Sequence, residues 1–279
     1  MLTTAQKQQY AQDGFLIIDN FISHEQCDTL IARAQQLINE FEPAVEKTIF
    51  STAGQQHAKH LYFLESGDKI HFFFEEHAFN SDGELTKEKE FSINKIGHAL
   101  HDLDAVFSSF SRQSCIAQLV SALEIQQPLL AQSMYICKQP HIGGEVTCHQ
   151  DSTYFYVEQQ PVLGLWFALE DATIENGCLW GLPHAHRDPL KSRFIRDQYN
   201  HTRTEHYDET PWELDQMVPL EVSRGSVILL HGQAPHMSKA NTSAKSRHAY
   251  TLHIISGAHQ YPADNWLQRS IDNPFRGFK

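Results

Sequence analysis

Apolar residues recur with two different periods along this chain, and the change falls near residue 128. Before it, helical spacing dominates. Cys27, Leu30, Ile31, Ala34, Leu37, Ile38 and Phe41 step by three and by one, which places them on one stripe of a 3.6-residue helix. Ser23 and Gln26 supply a capping box for it. A shorter helix is expected over residues 3–12, capped by Thr3 and Gln6 and stopped by Gly14. Residues 15–19 (FLIID) and 69–76 (KIHFFFEE) read as strands, residues 92–101 and 114–123 as helices, and the rest of 51–90 is mixed and charged. Gln127-Pro128 closes this half.

From Leu129 onward the apolar runs shorten and turn-prone residues part them. The runs are LLAQSMYICK, STYFYVE, VLGLWFALED, CLWGLP, SVILLHG and HAYTLHII; the breaks include Gly143-Gly144, Asn176-Gly177 and Arg224-Gly225. Many short strands at such spacing predict a sandwich or barrel. The expected fold is mainly β with flanking α. A helical part spans about 1–128 and a β core about 129–260, with an irregular polar insertion or lid at about 188–221. No repeat and no linker-like composition interrupts the chain, so residues 1–279 are expected to form a single domain.

Composition narrows the class without choosing a chemistry. A hydrophobic fraction of 41% with 20% charged residues suits a globular protein with a full core. The net charge of −12 disfavours nucleic acid and anionic membrane surfaces as partners. The five cysteines are odd in number and contain no C-x-x-C, which fits reduced thiols in the cytoplasm better than a disulfide framework or a zinc finger. Cys148, beside His149, reads as a small apolar filler on the opposite strand face. The first residues are polar, unlike a signal peptide, and no run approaches the length of a membrane span. A monomer or homodimer acting on a small molecule is the expectation.

The candidate chemistry lies in His149-Gln150-Asp151, followed by His236 and, eleven residues later, Arg247. His-x-Asp alone is weak. Chance placement of 18 His and 15 Asp gives roughly one such pair, and the chain holds three: His149/Asp151, His186/Asp188 and His206/Asp208. Only the first sits among β-like runs. Residues spaced i, i+2 on an extended chain share a face, so His149 and Asp151 can reach one ion. His236 follows the apolar run SVILLHG. Two histidines and one carboxylate leave open positions on the metal, the requirement of a non-haem Fe(II) oxygenase rather than a closed zinc site. Arg247 offers a bidentate fork for the far carboxylate of a chelating co-substrate, and Ser238, two residues past His236, can add a hydroxyl.

At these residues the chain resembles the phytanoyl-CoA dioxygenase family, a branch of the Fe(II)/2-oxoglutarate oxygenases. The segments QDGFLIIDNFIS, SGDKIHFFFEE, SINKIGHALH, QSMYICKQPHIGGEVTCHQD, LGLWFALEDATIENGCLW and HMSKANTSAKSRHAYTLH carry the resemblance across nearly the whole chain. It implies a double-stranded β-helix (jelly roll) with N-terminal helices, Fe(II) held by His149, Asp151 and His236, and 2-oxoglutarate and O2 as co-substrates. It also implies that Arg247 holds the distal carboxylate of 2-oxoglutarate and that Lys95, Met134, Trp166 and Ser238 line its pocket. Two departures, LPHAH at residues 182–186 and Met237-Ser238-Lys239, fall near the expected substrate entrance. Two other readings compete: a non-catalytic jelly roll that binds metal and 2-oxoglutarate, and a mononuclear metal hydrolase. Residues 45–90 and 188–221 are where specificity is expected.

Overall fold

A computed structural model describes residues 2–42 and 61–279; the expectation that residues 45–90 set specificity therefore lies partly outside the described residues. Six α-helices, α1 (Thr4–Asp13), α2 (His24–Glu40), α3 (Leu61–Leu64), α4 (Leu100–Leu103), α5 (Ala105–Ser111) and α6 (Ser114–Ala122), flank β-sheets. Both expected capping boxes form: Thr3 and Ser23 each accept a backbone N–H three residues on, while Gln6 and Gln26 reach back. Gly14 ends α1 in the left-handed region at φ 82°.

The strands, numbered in chain order, pair antiparallel. One sheet has seven: β1 (Phe15–Ile18), β11 (Val227–His231), β6 (Leu163–Ala168), β13 (Ala249–Ser256), β4 (Pro128–Ile136), β3 (Ile93–His98) and β2 (Ile70–Phe74), in that spatial order. A second has four: β10 (Val218–Leu220), β7 (Leu179–Gly181), β12 (His236–Ser238) and β5 (Val146–His149). Strands β8 (Ser192–Arg196) and β9 (Thr202–His206) form a separate hairpin. This is the expected jelly roll, mainly β with flanking helices.

The large sheet is covered on both faces, which explains why every residue of β13 is buried, polar Thr251 and His253 included. Tyr250, Leu252 and Ile254 pack outward with Leu30, Ala34 and Ile38 of α2 and with Phe107 and Ile116 of the later helices. Each such apolar side chain contributes about 1.5–3 kcal/mol by leaving water. The inner face sends Phe15, Trp166, Ile228 and Ala249 against Leu179 and Leu220 of the small sheet. Between the sheets, toward the ends of β3, β4 and β13, a cavity of about 200 Å³ remains.

Three expected elements differ. Residues 92–101 contain strand β3, not a helix. Ile93, Ile96 and Leu100 mimic helical spacing, but every residue of β3 is buried, polar Asn94, Lys95 and His98 included, so no apolar–polar alternation of period two marks the strand. The run STYFYVE forms no strand. Residues 151–153 make a short 3-10 turn, and Phe155 and Val157 fill a core with Phe63 and Trp266 without ladder partners. The insertion at 188–221 is less irregular than expected, since it holds the β8–β9 hairpin and ends in β10, a strand of the small sheet.

Candidate metal centre

His149 ends β5, Asp151 opens the 3-10 turn that follows, and His236 opens β12, where it lies directly across the ladder from His149. Nε2 of each histidine stands 3.7 Å from Asp151 Oδ1. The three donor atoms lie within 4.8 Å of one another. Among the described residues this is the one group of three or more His, Cys, Asp or Glu side chains with metal-ligand spacing. His186/Asp188 and His206/Asp208 are not in it. His186 instead packs edge-on against His231, ring centroids 5.1 Å apart.

The backbone sets the direction of both imidazoles. His149 Nδ1 meets the Thr147 carbonyl at 2.8 Å, and His236 Nδ1 meets the Ala234 carbonyl at 3.1 Å. A carbonyl only accepts, so Nδ1 carries the proton in each ring and the Nε2 lone pair faces the partner residues. Burial, reinforced by the neighbouring His149, pushes His236 down to about 4, so it is neutral at neutral pH. Burial of Asp151 opposes ionisation. The facing His253 and His236, together with His149, outweigh it and hold the carboxyl well below the ordinary range. Two neutral imidazoles and a carboxylate form a donor set that fits a divalent cation. The opposing strand makes room for them: a Cβ on Gly164 of β6 would come within 2.8 Å of Asp151 Oδ2.

The same cavity holds a buried guanidinium. Arg247 is 1% exposed, lies 5.0 Å over the Trp166 ring, and donates from Nε to the Gly177 carbonyl at 3.1 Å and from Nη2 to Ser238 Oγ at 3.4 Å. Its Nη1 has no partner among the described residues. Burial lowers its pKa to about 10, still charged at neutral pH. No described carboxylate forms an ion pair with it, and a buried cation without an anion is costly. The guanidinium lines the same cavity as the metal-type group, where an anion could offset its charge.

Lys95, Met134, Trp166 and Ser238 line this cavity as well. Lys95 is on a buried strand, not on a solvated helix face, and its Nζ lies 3.9 Å from Met134 Sδ. Burial lowers it to about 7. Asn176 and Asn241 shape turns: Asn176 accepts from Thr173 N and donates to the Asp171 carbonyl, while Asn241 donates to the Lys138 and Lys245 carbonyls. Cys148 packs beside Leu182, Met217 and Met237. Both departures from the family pattern contribute to that packing, through Leu182 and Met237. The sequence reading missed His253, whose Nε2 is 3.4 Å from Asp151 Oδ2, and His98 and Gln132 on the cavity wall. The available signal was a polar residue at the inward phase of an apolar strand.

Two antiparallel sheets with a two-histidine, one-carboxylate group between them define a cupin-like jelly roll built around a metal-type site. Residues 10–249 match the model of the family described as Phytanoyl-CoA dioxygenase (PhyH), and the chain belongs to that family. It is 44% identical over 272 residues to "Phytanoyl-CoA dioxygenase" of Arabidopsis thaliana, covering 96% of this chain and 94% of that protein. It is 40% identical over 283 residues to "Phytanoyl-CoA dioxygenase domain-containing protein 1" of Bos taurus, covering 98% and 97%. Among solved structures, EctD from S. alaskensis with 2-oxoglutarate and 5-hydroxyectoine aligns with a TM-score of 0.64 at 17% identity, over 96% of this chain and 84% of that one. Among the described residues no helix is long and apolar enough to cross a membrane.

Proposed function

We propose that the protein is an Fe(II)/2-oxoglutarate-dependent dioxygenase that hydroxylates a small organic molecule while 2-oxoglutarate and O2 yield succinate and CO2, with residues 1–279 acting as one domain. The carrying observation is that His149, Asp151 and His236 converge in the cavity that also holds the Arg247 guanidinium, which has no carboxylate partner among the described residues. Family membership and the 2-oxoglutarate of the EctD structure support the same reading.

In this reading His149, Asp151 and His236 hold Fe(II), which supplies O2 activation. The chain's own work is placement. Arg247 binds the distal carboxylate of 2-oxoglutarate through a charge-assisted fork, and Ser238 Oγ, held by the Gly177 carbonyl at 3.1 Å, fixes the angle of that fork. Trp166 covers the guanidinium and excludes water from it. Lys95 and Met134 wall the co-substrate position. A metal hydrolase has no use for a buried fork of this kind. Titration of 2-oxoglutarate into wild type and Arg247→Ala, with Fe(II) affinity followed separately, tests the assignment. The variant should need at least ~10-fold more 2-oxoglutarate, about 1.4 kcal/mol, with iron affinity unchanged. An unchanged requirement would remove Arg247 from the site.

A further inference from the structure

Beside Asp151 the cavity wall is formed by rings. Phe155 stacks on His253 at 4.8 Å, and Phe63 stacks on Trp266 at 4.7 Å. His98 meets Trp266 edge-on at 5.5 Å. Gln132 on β4 lies directly across the ladder from His253 on β13, which puts its side chain among these rings. None of these side chains is carboxylate, lysine or arginine.

Several polar atoms along this wall have no hydrogen-bond partner among the described residues, Trp266 Nε1 and His253 Nδ1 among them. Gln132 is 3% exposed, and its carboxamide makes no hydrogen bond to any described residue. The carboxamide is not among the unpartnered atoms sealed inside the protein, so it opens on the cavity it lines, where a bound molecule can pair with it. His98 is constrained by logic of donors. Ser66 Oγ donates its single proton to the Phe63 carbonyl at 2.6 Å, so at 2.6 Å from His98 Nδ1 it must accept. Nδ1 therefore carries the ring proton, which leaves Nε2 of this cavity-lining residue as an acceptor. Burial holds this imidazole neutral.

We propose that this wall is the substrate subsite and that it takes a neutral ring compound with an N–H donor beside a C=O acceptor, a cyclic amide of the lactam or imide type. Gln132 offers a matching donor and acceptor for two-point pairing with an amide edge, and His98 Nε2 accepts one further N–H or O–H. The rings of Phe63, Phe155 and Trp266 bury the flat faces. Gln132 Oε1 and His98 Nε2 are acceptors that call for N–H or O–H donors, and the unpartnered Trp266 Nε1 offers a donor to a carbonyl oxygen. A cation would find no carboxylate there except Asp151. Only the role of the bound molecule as substrate rests on the oxygenase reading; the binding itself does not.

The test uses the full chain, with uracil as the cyclic-amide probe and benzoate as an anionic ring of similar size. Saturation-transfer NMR and titration are run on metal-free protein, and again anaerobically with Fe(II) and 2-oxoglutarate. Uracil should bind in both states, benzoate should not displace it, and Gln132→Met should weaken uracil at least tenfold while leaving 2-oxoglutarate affinity unchanged. If Gln132→Met does not fold, Gln132→Asn, which withdraws the carboxamide by one methylene, is measured instead with the same expectation. No uracil binding, equal binding by the variant, or equal competition by benzoate would overturn the subsite. Uracil binding without 2-oxoglutarate binding would support the subsite and overturn the oxygenase reading instead.

Discussion

Asp151 is held by what its neighbours lack as much as by what they offer. Gly164 gives its carboxylate a recess in which Oδ2 points at His253 and Oδ1 stays equidistant from Nε2 of His149 and of His236. Gly164→Ala would put a methyl 2.8 Å from Oδ2 and 3.3 Å from Leu230 Cβ, so the carboxylate must shift. The expected result is at least a ~10-fold weaker Fe(II) affinity, about 1.4 kcal/mol, in a protein of unchanged circular dichroism. An unchanged affinity would mean that the recess does not set the ligand. Lys95 yields a pH prediction. Burial lowers its pKa to about 7, so it is cationic below that pH and neutral above. An anion beside it gains from the cationic form, so 2-oxoglutarate affinity should fall as pH rises from about 6 to 8, and Lys95→Met should flatten the dependence. An identical slope in both proteins would place Lys95 away from the co-substrate. At this scale much was legible. The i, i+2 spacing of His149 and Asp151 and the offset to Arg247 are written in the chain. The pairing of His253 with Asp151 is not, because it depends on the register of β13 against β6.

The elements most responsible for the site are the shortest. β12 has three residues, yet it carries His236 and Ser238 on one side and bridges β5 and β7. The turn at Asn176-Gly177 supports it from below, since the Gly177 carbonyl accepts from both Arg247 Nε and Ser238 Oγ. Gly177 has φ 83°, and a Cβ there would lie 2.6 Å from the Lys239 carbonyl. Gly177→Ala should therefore cost roughly 1–2 kcal/mol of stability from the left-handed conformation alone. It should also weaken 2-oxoglutarate several-fold while sparing the metal. Calorimetric unfolding and 2-oxoglutarate titration check this; wild-type values in both would contradict it. Capped helices α1 and α2 were readable because their signals are local: a capping box, a stripe and a glycine stop. β3 was misread because a strand buried on both faces carries no alternation, and STYFYVE was misread because aromatic, β-branched composition also suits an irregular core segment.

Across the whole molecule, the two halves of the site belong to different sheets. The metal-type group is presented by the small sheet and the turn after β5, whereas Lys95, Met134 and Trp166 come from the large one and Arg247 lies two residues before β13. The arrangement exists only when the sheets are packed, which is why neither the cavity nor its polar lining is visible in any one segment. A sandwich or barrel was legible from short strands and turns, and the jelly roll from the family resemblance, but the strand order of the sheets was not, because non-local pairing leaves no local trace. Central to this account is one ion and one dicarboxylate held in the same cavity. The most direct test adds Fe(II) and 2-oxoglutarate anaerobically to metal-free protein and records the visible metal-to-ligand charge-transfer band. The account predicts a band in wild type that disappears in His149→Ala while the fold persists. Folded, iron-bound wild-type protein with no band would contradict it.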